Sequence, residues 1–156
     1  MSSLTCHDRG ADDCVICAKH RGEGPLEGEL VGQTPWLSVW HAPAEADGRT
    51  RLGHLIVESD QHAPHLADLT EDEATELGRL RTRLASSLRE ATGADFVLAA
   101  VIGLGIAHFH EHIYARPTRE PNDVAWHDSD QLLPLVDDEA VRGLAERLRG
   151  ALQGIA

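Results

Sequence analysis

Three histidines stand two apart in Ala107-His108-Phe109-His110-Glu111-His112-Ile113-Tyr114. If the segment is a strand, successive side chains point to opposite faces, and His108, His110 and His112 line one face in a row. Much of an imidazole population is unprotonated at neutral pH, so the row suits two kinds of chemistry. It can ligate a metal ion, or one ring nitrogen can attack an electrophile while its neighbours orient it and stabilise charge. The plain alternative, three polar residues on a solvated sheet face, is an unusual way to make such a face. A second group is Cys14-Val15-Ile16-Cys17. With three cysteines in all, an odd number, that spacing points to metal or redox chemistry more than to a disulfide framework.

The rest of the chain bounds what these residues serve. There are 156 residues, 42% apolar, with 14 basic against 26 acidic, a net charge of −12 with histidines neutral. Such a chain buries roughly 68–70% of its unfolded surface and forms a core without disulfides. We expect a flexible N-terminal extension over 1–13 and a single domain over 14–156. No run of about 18 apolar residues exists to cross a membrane. The polar start, Met1 to Asp13, lacks the apolar stretch of a secretory signal, so a cytoplasmic protein is expected. The acidic balance argues against binding a nucleic-acid duplex, which requires clustered Lys and Arg.

Several elements must position the histidines. Glu29 to Gly32 and Trp36 to His41 read as two strands of a hairpin around Gly32-Gln33-Thr34-Pro35. Ala42 to Thr50 is a loop, and Leu52 to Val57 suits a buried third strand. A long helix starts at Thr70, where Glu73 completes a capping box, and ends at Gly93; Leu77, Leu80, Leu84 and Leu88 form its apolar stripe. Asp95 to Ile102 is a continuous apolar strand, followed by Gly103-Leu104-Gly105 and the histidine strand from Ile106 to Ala115. The Gly-x-Gly lacks the third glycine and following helix of a dinucleotide fingerprint. After an irregular stretch from Arg116 to Pro134, an amphipathic helix spans Asp138 to Leu152. The element order predicts an α+β fold.

His108-Phe109-His110-Glu111-His112-Ile113-Tyr114 resembles the signature of the histidine triad superfamily. Gly53-His54-Leu55-Ile56-Val57, then Gln61-His62 and Ala67-Asp68-Leu69, resemble that family's Gly-His strand, its downstream His and its lead into the long helix. Cys14-Val15-Ile16-Cys17 resembles the Cys-x-x-Cys of zinc-containing members, so the likeness spans Cys14 to Pro117. The resemblance implies a five-stranded antiparallel sheet with one long helix and a C-terminal helix, and a homodimer. It also implies attack on the α-phosphate of a small-molecule nucleotide conjugate by the middle histidine, giving a nucleotidyl-histidine that water or another acceptor resolves. By position the nucleophile is His110, with His112 on the phosphate and His108 completing the catalytic set. His41, Gly105 and His112 fall at substrate-contacting positions. A structural zinc would be held by Cys14, Cys17, His62 and His108, with His65 the competing choice to His62.

The sequence departs from the family in places. Leu104 stands where relatives commonly carry a phosphate-holding Gln, and Phe96 to Ile102 contains no Asn to meet the nucleotide. Glu111 occupies an apolar slot and, if buried, requires a partner or a raised pKa. Two other readings therefore accompany the nucleotide hydrolase or transferase: an enzyme with a non-nucleotide substrate or a triad-bound metal, and a nucleotide-binding module that does not turn over.

Overall fold

The computed structural model describes residues 13–117 and 123–153; the expected N-terminal extension, with Cys6 and His7, lies outside them except for Asp13. The elements are α1 (Val15–His20), β1 (Leu30–Gln33), β2 (Leu37–His41), β3 (Thr50–Arg51), β4 (His54–Ser59), a short 3-10 helix (Leu66–Asp68), α2 (Glu71–Thr92), β5 (Phe96–Ala100), β6 (His110–Arg116), a second 3-10 helix (Trp126–Leu132), β7 (Leu135–Val136) and α3 (Asp138–Leu152). β1, β2, β4, β6 and β5 form one antiparallel sheet in that spatial order, with β6 beside β4 at its centre.

Register decides which side chains meet. In the antiparallel ladder Leu55 faces Ile113 and Val57 faces Glu111, whereas His54 faces Tyr114, Ile56 faces His112 and Glu58 faces His110. Directly paired residues share a sheet face. One face therefore carries Val39, Leu55, Val57 and Ile113, all fully buried in the core that includes the α2 leucines. The other carries Trp40, His54, Glu58, His110, His112 and Tyr114, and presents the polar groups.

α2 holds the first face closed. Thr70 Oγ1 accepts from the Glu73 amide at 3.2 Å, and Glu73 accepts from the Thr70 amide at 2.7 Å, so both ends of the capping box are made. Gly93 ends the helix at φ +70°, a left-handed conformation that glycine adopts without steric cost. Leu80, Leu84 and Leu88 are fully buried along its inner stripe. Each contributes about 1.5–3 kcal/mol by removal from water, and truncating Leu84 to Ala would cost about 2–5 kcal/mol with the cavity included. α3 packs on α2 and β1, where Arg149 donates to Glu29 Oε1 at 2.7 Å and to the Leu30 carbonyl.

Two features differ from the sequence expectation. The two-residue β3, at the end of the segment read as a loop, pairs with β7, just past the stretch read as irregular, closing a small second sheet. The histidine strand starts at His110 rather than Ile106: His108 N donates to Ile106 O at 2.9 Å in a tight turn, and Phe109 N donates to Ala63 O. Alternation along a regular strand thus relates His110, His112 and Tyr114, while His108 lies before it.

Candidate active site and metal centre

Cys14 immediately precedes α1, and Ala18 N donates to its carbonyl at 2.9 Å, placing Cys14 and Cys17 within one helical turn. Two imidazoles meet these thiols. Cys14 Sγ to His108 Nδ1, Cys17 Sγ to His108 Nδ1 and Cys17 Sγ to His62 Nδ1 are each 3.4 Å. The four donor atoms lie within 4.8 Å of one another, and all four residues are buried. Bond lengths to tetrahedral zinc of about 2.3 Å for sulfur and 2.0–2.1 Å for nitrogen set a sulfur–nitrogen edge of about 3.6 Å, so the group fits a structural zinc. His108 Nε2–H donates to Ser59 O at 2.8 Å, the outer hydrogen bond that turns Nδ1 toward the thiols. Burial pulls the His108 pKa down to about 4, leaving the neutral ring that ligation requires. His65 is exposed and outside the cluster, capping the first 3-10 helix.

His110 is oriented by its neighbour's backbone. Its Nδ1–H donates to His108 O at 2.7 Å, so the lone pair is on Nε2, and the residue is only half-buried. The His112 ring lies 5.4 Å from the His110 ring at 78°. On its far side His112 Nδ1 and His54 Nε2 are 2.9 Å apart, one nitrogen donating to the other. Burial, then the neighbouring His112 and His41 rings, pull the His54 pKa down to about 3. Burial and His110 also lower His112, against the opposing pull of Asp130 and Glu58. His54 and His112 are therefore neutral at neutral pH.

Two walls flank this pair. At one end, α1 covers Trp40 and Glu58. Lys19 Nζ reaches Glu58 Oε1 at 2.5 Å and sits 4.5 Å over the Trp40 ring, while His20 Nε2 meets Glu58 Oε2 at 2.8 Å and stacks on the same indole. Burial pushes the Glu58 carboxyl up, but the His20 hydrogen bond and the Lys19 ammonium outweigh it and hold it below its ordinary value. At the other end the Trp126–Leu132 helix is gripped by β6: Tyr114 Oη–H donates to Trp126 O at 2.9 Å, and Arg116 donates to Ser129 Oγ and to Val124 O.

The remaining candidates have defined places. His41 is not brought to the triad. It lies on the core face, 1% exposed, its Nδ1–H donating to Ala42 O while Nε2 accepts from Gly53 N. Gly105 stands in an exposed loop with open space around it, beside the 95% exposed Leu104. Glu111 has the partner its burial requires: Arg81 of α2 reaches both carboxylate oxygens, Nε at 3.0 and 3.1 Å and a terminal nitrogen at 2.8 Å. Sequence reasoning missed Lys19, His20, Glu58 and Arg81. A usable signal was Glu58 itself, an acid that directly follows the apolar run Leu55-Ile56-Val57 and, if the strand continues buried through it, requires cations elsewhere to meet it.

No family model matches the chain, and no curated protein matches its sequence. Solved structures do. A Hit-like protein involved in cell-cycle regulation from Bartonella henselae is similar with a TM-score of 0.65 at 16% identity, over 90% of this chain and 96% of that one. A zinc-bound histidine triad family protein from Mycobacterium smegmatis gives 0.63 at 22%, over 92% and 95%. A histidine triad protein from Bradyrhizobium japonicum gives 0.64 at 21%, over 80% and 90%. The chain has the histidine triad fold. In this histidine triad fold the first histidine belongs to the buried thiol cluster, and the second and third to the half-open sheet face.

Proposed function

We propose that the protein is a nucleotide-conjugate hydrolase or nucleotidyl transferase that works through a nucleotidyl-histidine on His110. The observation that carries this reading is the 2.7 Å hydrogen bond from His110 Nδ1–H to His108 O, which fixes the tautomer and leaves Nε2 with its lone pair. That nitrogen attacks phosphorus; the N–P bond forms as the bond to the leaving group breaks. In hydrolysis a water oxygen then attacks phosphorus as the N–P bond breaks; the proton the water sheds balances the one the departed leaving group takes up, and His110 recovers its Nε2 lone pair. With His54 Nε2–H donating to His112 Nδ1, His112 keeps its own proton on Nε2, where it can donate to a phosphoryl oxygen as negative charge builds. His108 acts through its carbonyl, as a positioning residue.

Cys14, Cys17, His62 and His108 would hold a zinc ion, which supplies a cross-link between α1 and the approach to β6 and takes no part in the reaction. A cytoplasmic location, where the thiols stay reduced, suits that site. We also propose a homodimer, since β5 is an open sheet edge whose first residue, Phe96, is exposed.

The test is AMP release from adenosine 5′-phosphoramidate or a dinucleoside polyphosphate. Wild type should release AMP, and His110→Ala should abolish release while retaining its metal. Release that persists in His110→Ala refutes the nucleophile. Metal lost with that variant would instead favour an ion held by the triad.

A further inference from the structure

Two buried acids flank the histidine strand, one on each face of the sheet. Glu111 turns to the core face, where the Arg81 guanidinium meets both of its oxygens. Glu58 is on the histidine face: in the β4–β6 ladder it stands directly across from His110, and cross-strand partners of this kind have Cβ atoms about 4.5–5.5 Å apart. It is 2% exposed. Despite that burial, the His20 hydrogen bond and the Lys19 ammonium hold its carboxyl below the ordinary value, so it is an anion at neutral pH. The charge reaches the next histidine of the row: against the burial and the His110 ring that lower the His112 pKa, Asp130 and Glu58 favour the cationic ring.

The cation of this ion pair lies on the side away from the histidines. Lys19 Nζ is 4.5 Å over the ring of Trp40, which belongs to β2, two strands or about 10 Å from β6. Glu58 is rooted on β4, one strand from β6. The pair therefore turns its negative end to His110. Replacing a buried ion pair by apolar residues of similar volume is often neutral or stabilising, so packing alone gives no reason for one at this place. A reaction that builds positive charge on the ring opposite does.

Resting on the proposed reaction at His110, we infer that Glu58 is a positioning residue for it: its carboxylate, one strand away on the same face, stabilises the positive charge that the His110 ring acquires as Nε2 bonds to phosphorus. The ring enters the step neutral, with its proton on Nδ1. As the N–P bond forms, the electron pair of the breaking bond goes to the leaving group and the ring becomes an imidazolium. When water attacks phosphorus, the N–P electron pair returns to Nε2 and the ring is neutral again. A fixed anion thus favours the intermediate and the transition state leading to it over the free ring. Toward AMP, itself an anion, the same charge is repulsive.

The experiment is rapid-quench trapping of the zinc-loaded protein at saturating adenosine 5′-phosphoramidate or dinucleoside polyphosphate labelled at the α-phosphorus, with calorimetric titration of AMP alongside. Glu58→Gln keeps the size of the side chain and removes its charge. It should slow formation of labelled protein at least about ten-fold, the effect of one charge at this range in the effective dielectric of a protein site, while AMP binds as well as to wild type or more tightly. Glu58→Asp keeps the charge and should retain most of the rate. Glu111→Gln removes a buried acid from the other face and should match wild type. Lys19→Met leaves the anion without its cation and should label at least about two-fold faster. Unchanged labelling in Glu58→Gln, AMP affinity that falls together with labelling, or labelling in Lys19→Met that is no faster than wild type would overturn the inference. Should Glu58→Gln lose its zinc or its fold, the direction of the Lys19→Met change decides alone. Wild type that takes up no label refutes the reaction at His110 and this inference with it; wild type that is labelled on His110 but indifferent to the charge at position 58 refutes the inference alone.

Discussion

Glu111 sits between the two open histidines in sequence but turns to the opposite face, where it is 3% exposed and meets Arg81 from α2. The two ends of this pair differ in solvent access: the arginine side chain is 41% exposed and the glutamate side chain 4%. That asymmetry yields an unequal pair of mutational effects. Arg81→Met leaves a buried carboxylate without its cation, and breaking a buried pair in this way costs about 3–5 kcal/mol. Because Arg81 is partly in water, we expect the lower end, about 3 kcal/mol. Glu111→Leu, by contrast, restores the apolar alternation of the strand and lets Arg81 turn out to solvent, at a cost of under about 1.5 kcal/mol. The double variant should resemble Glu111→Leu alone, so the coupling between the two sites equals the Arg81→Met loss, about 3 kcal/mol, at the upper end of the range found for residues in contact. Urea unfolding of the metal-loaded proteins measures all three; for a chain of this size the Arg81→Met loss corresponds to a melting shift of about 6–12 °C. A loss below about 1 kcal/mol for Arg81→Met, or equal losses for both single variants, would refute the buried-charge reasoning.

Cys14→Ala and His62→Ala should each abolish stoichiometric zinc binding and lower the urea midpoint, whereas His65→Ala should change neither, as read by metal analysis and unfolding. Glu58→Gln removes the anion that Lys19 and His20 share and should destabilise the protein by about 1.5–3 kcal/mol, measured by urea unfolding at neutral pH. His54 has a sign fixed by its lowered pKa. Between its folded value of about 3 and its unfolded value of about 6.5, the unfolded chain binds a proton that the folded chain does not, so stability falls as pH falls through that window. The limiting slope is about 1.4 kcal/mol per pH unit, and His54→Gln should reduce the loss between pH 6.5 and 4.5 relative to wild type, in paired unfolding curves.

How far the sequence reaches depends on the range of the interaction involved. The α2 capping box and its leucine stripe follow from residues three and four apart, and the helix lies where they place it. The ligand cluster was legible as well, because the Cys-x-x-Cys spacing and the family order of His62 and His108 survive in one dimension. His41 shows the limit. Its position at the end of the second strand suggests a substrate contact, but register against Leu55 turns it into the core, and register is a property of paired strands. Lys19, His20 and Arg81 were missed for the same reason: each meets its carboxylate across at least 30 residues of chain. Only the unpaired side of each bargain, an acid in an apolar strand, is written locally.

The two-residue spacing of the signature acquires a physical reason once His108 is seen to act twice. Its side chain, through Nδ1, lies against Cys14 and Cys17, and its carbonyl accepts from His110 Nδ1–H. The residue that closes the ligand cluster is thus the residue that sets the tautomer of His110. Removing the metal with a chelator should consequently do more than lower stability: with the His108 backbone released, the 2.7 Å contact to His110 loosens, and the population with Nε2 unprotonated and outward falls. Nitrogen-15 spectra of the imidazoles report tautomer directly. They should show His110 protonated on Nδ1 in the zinc-loaded protein and a mixture of tautomers after chelation, under conditions where circular dichroism still shows a folded chain. An unchanged His110 spectrum in a folded, metal-free protein would mean that the tight turn from Ile106 to His108 holds the carbonyl by itself, and that the cluster serves stability alone.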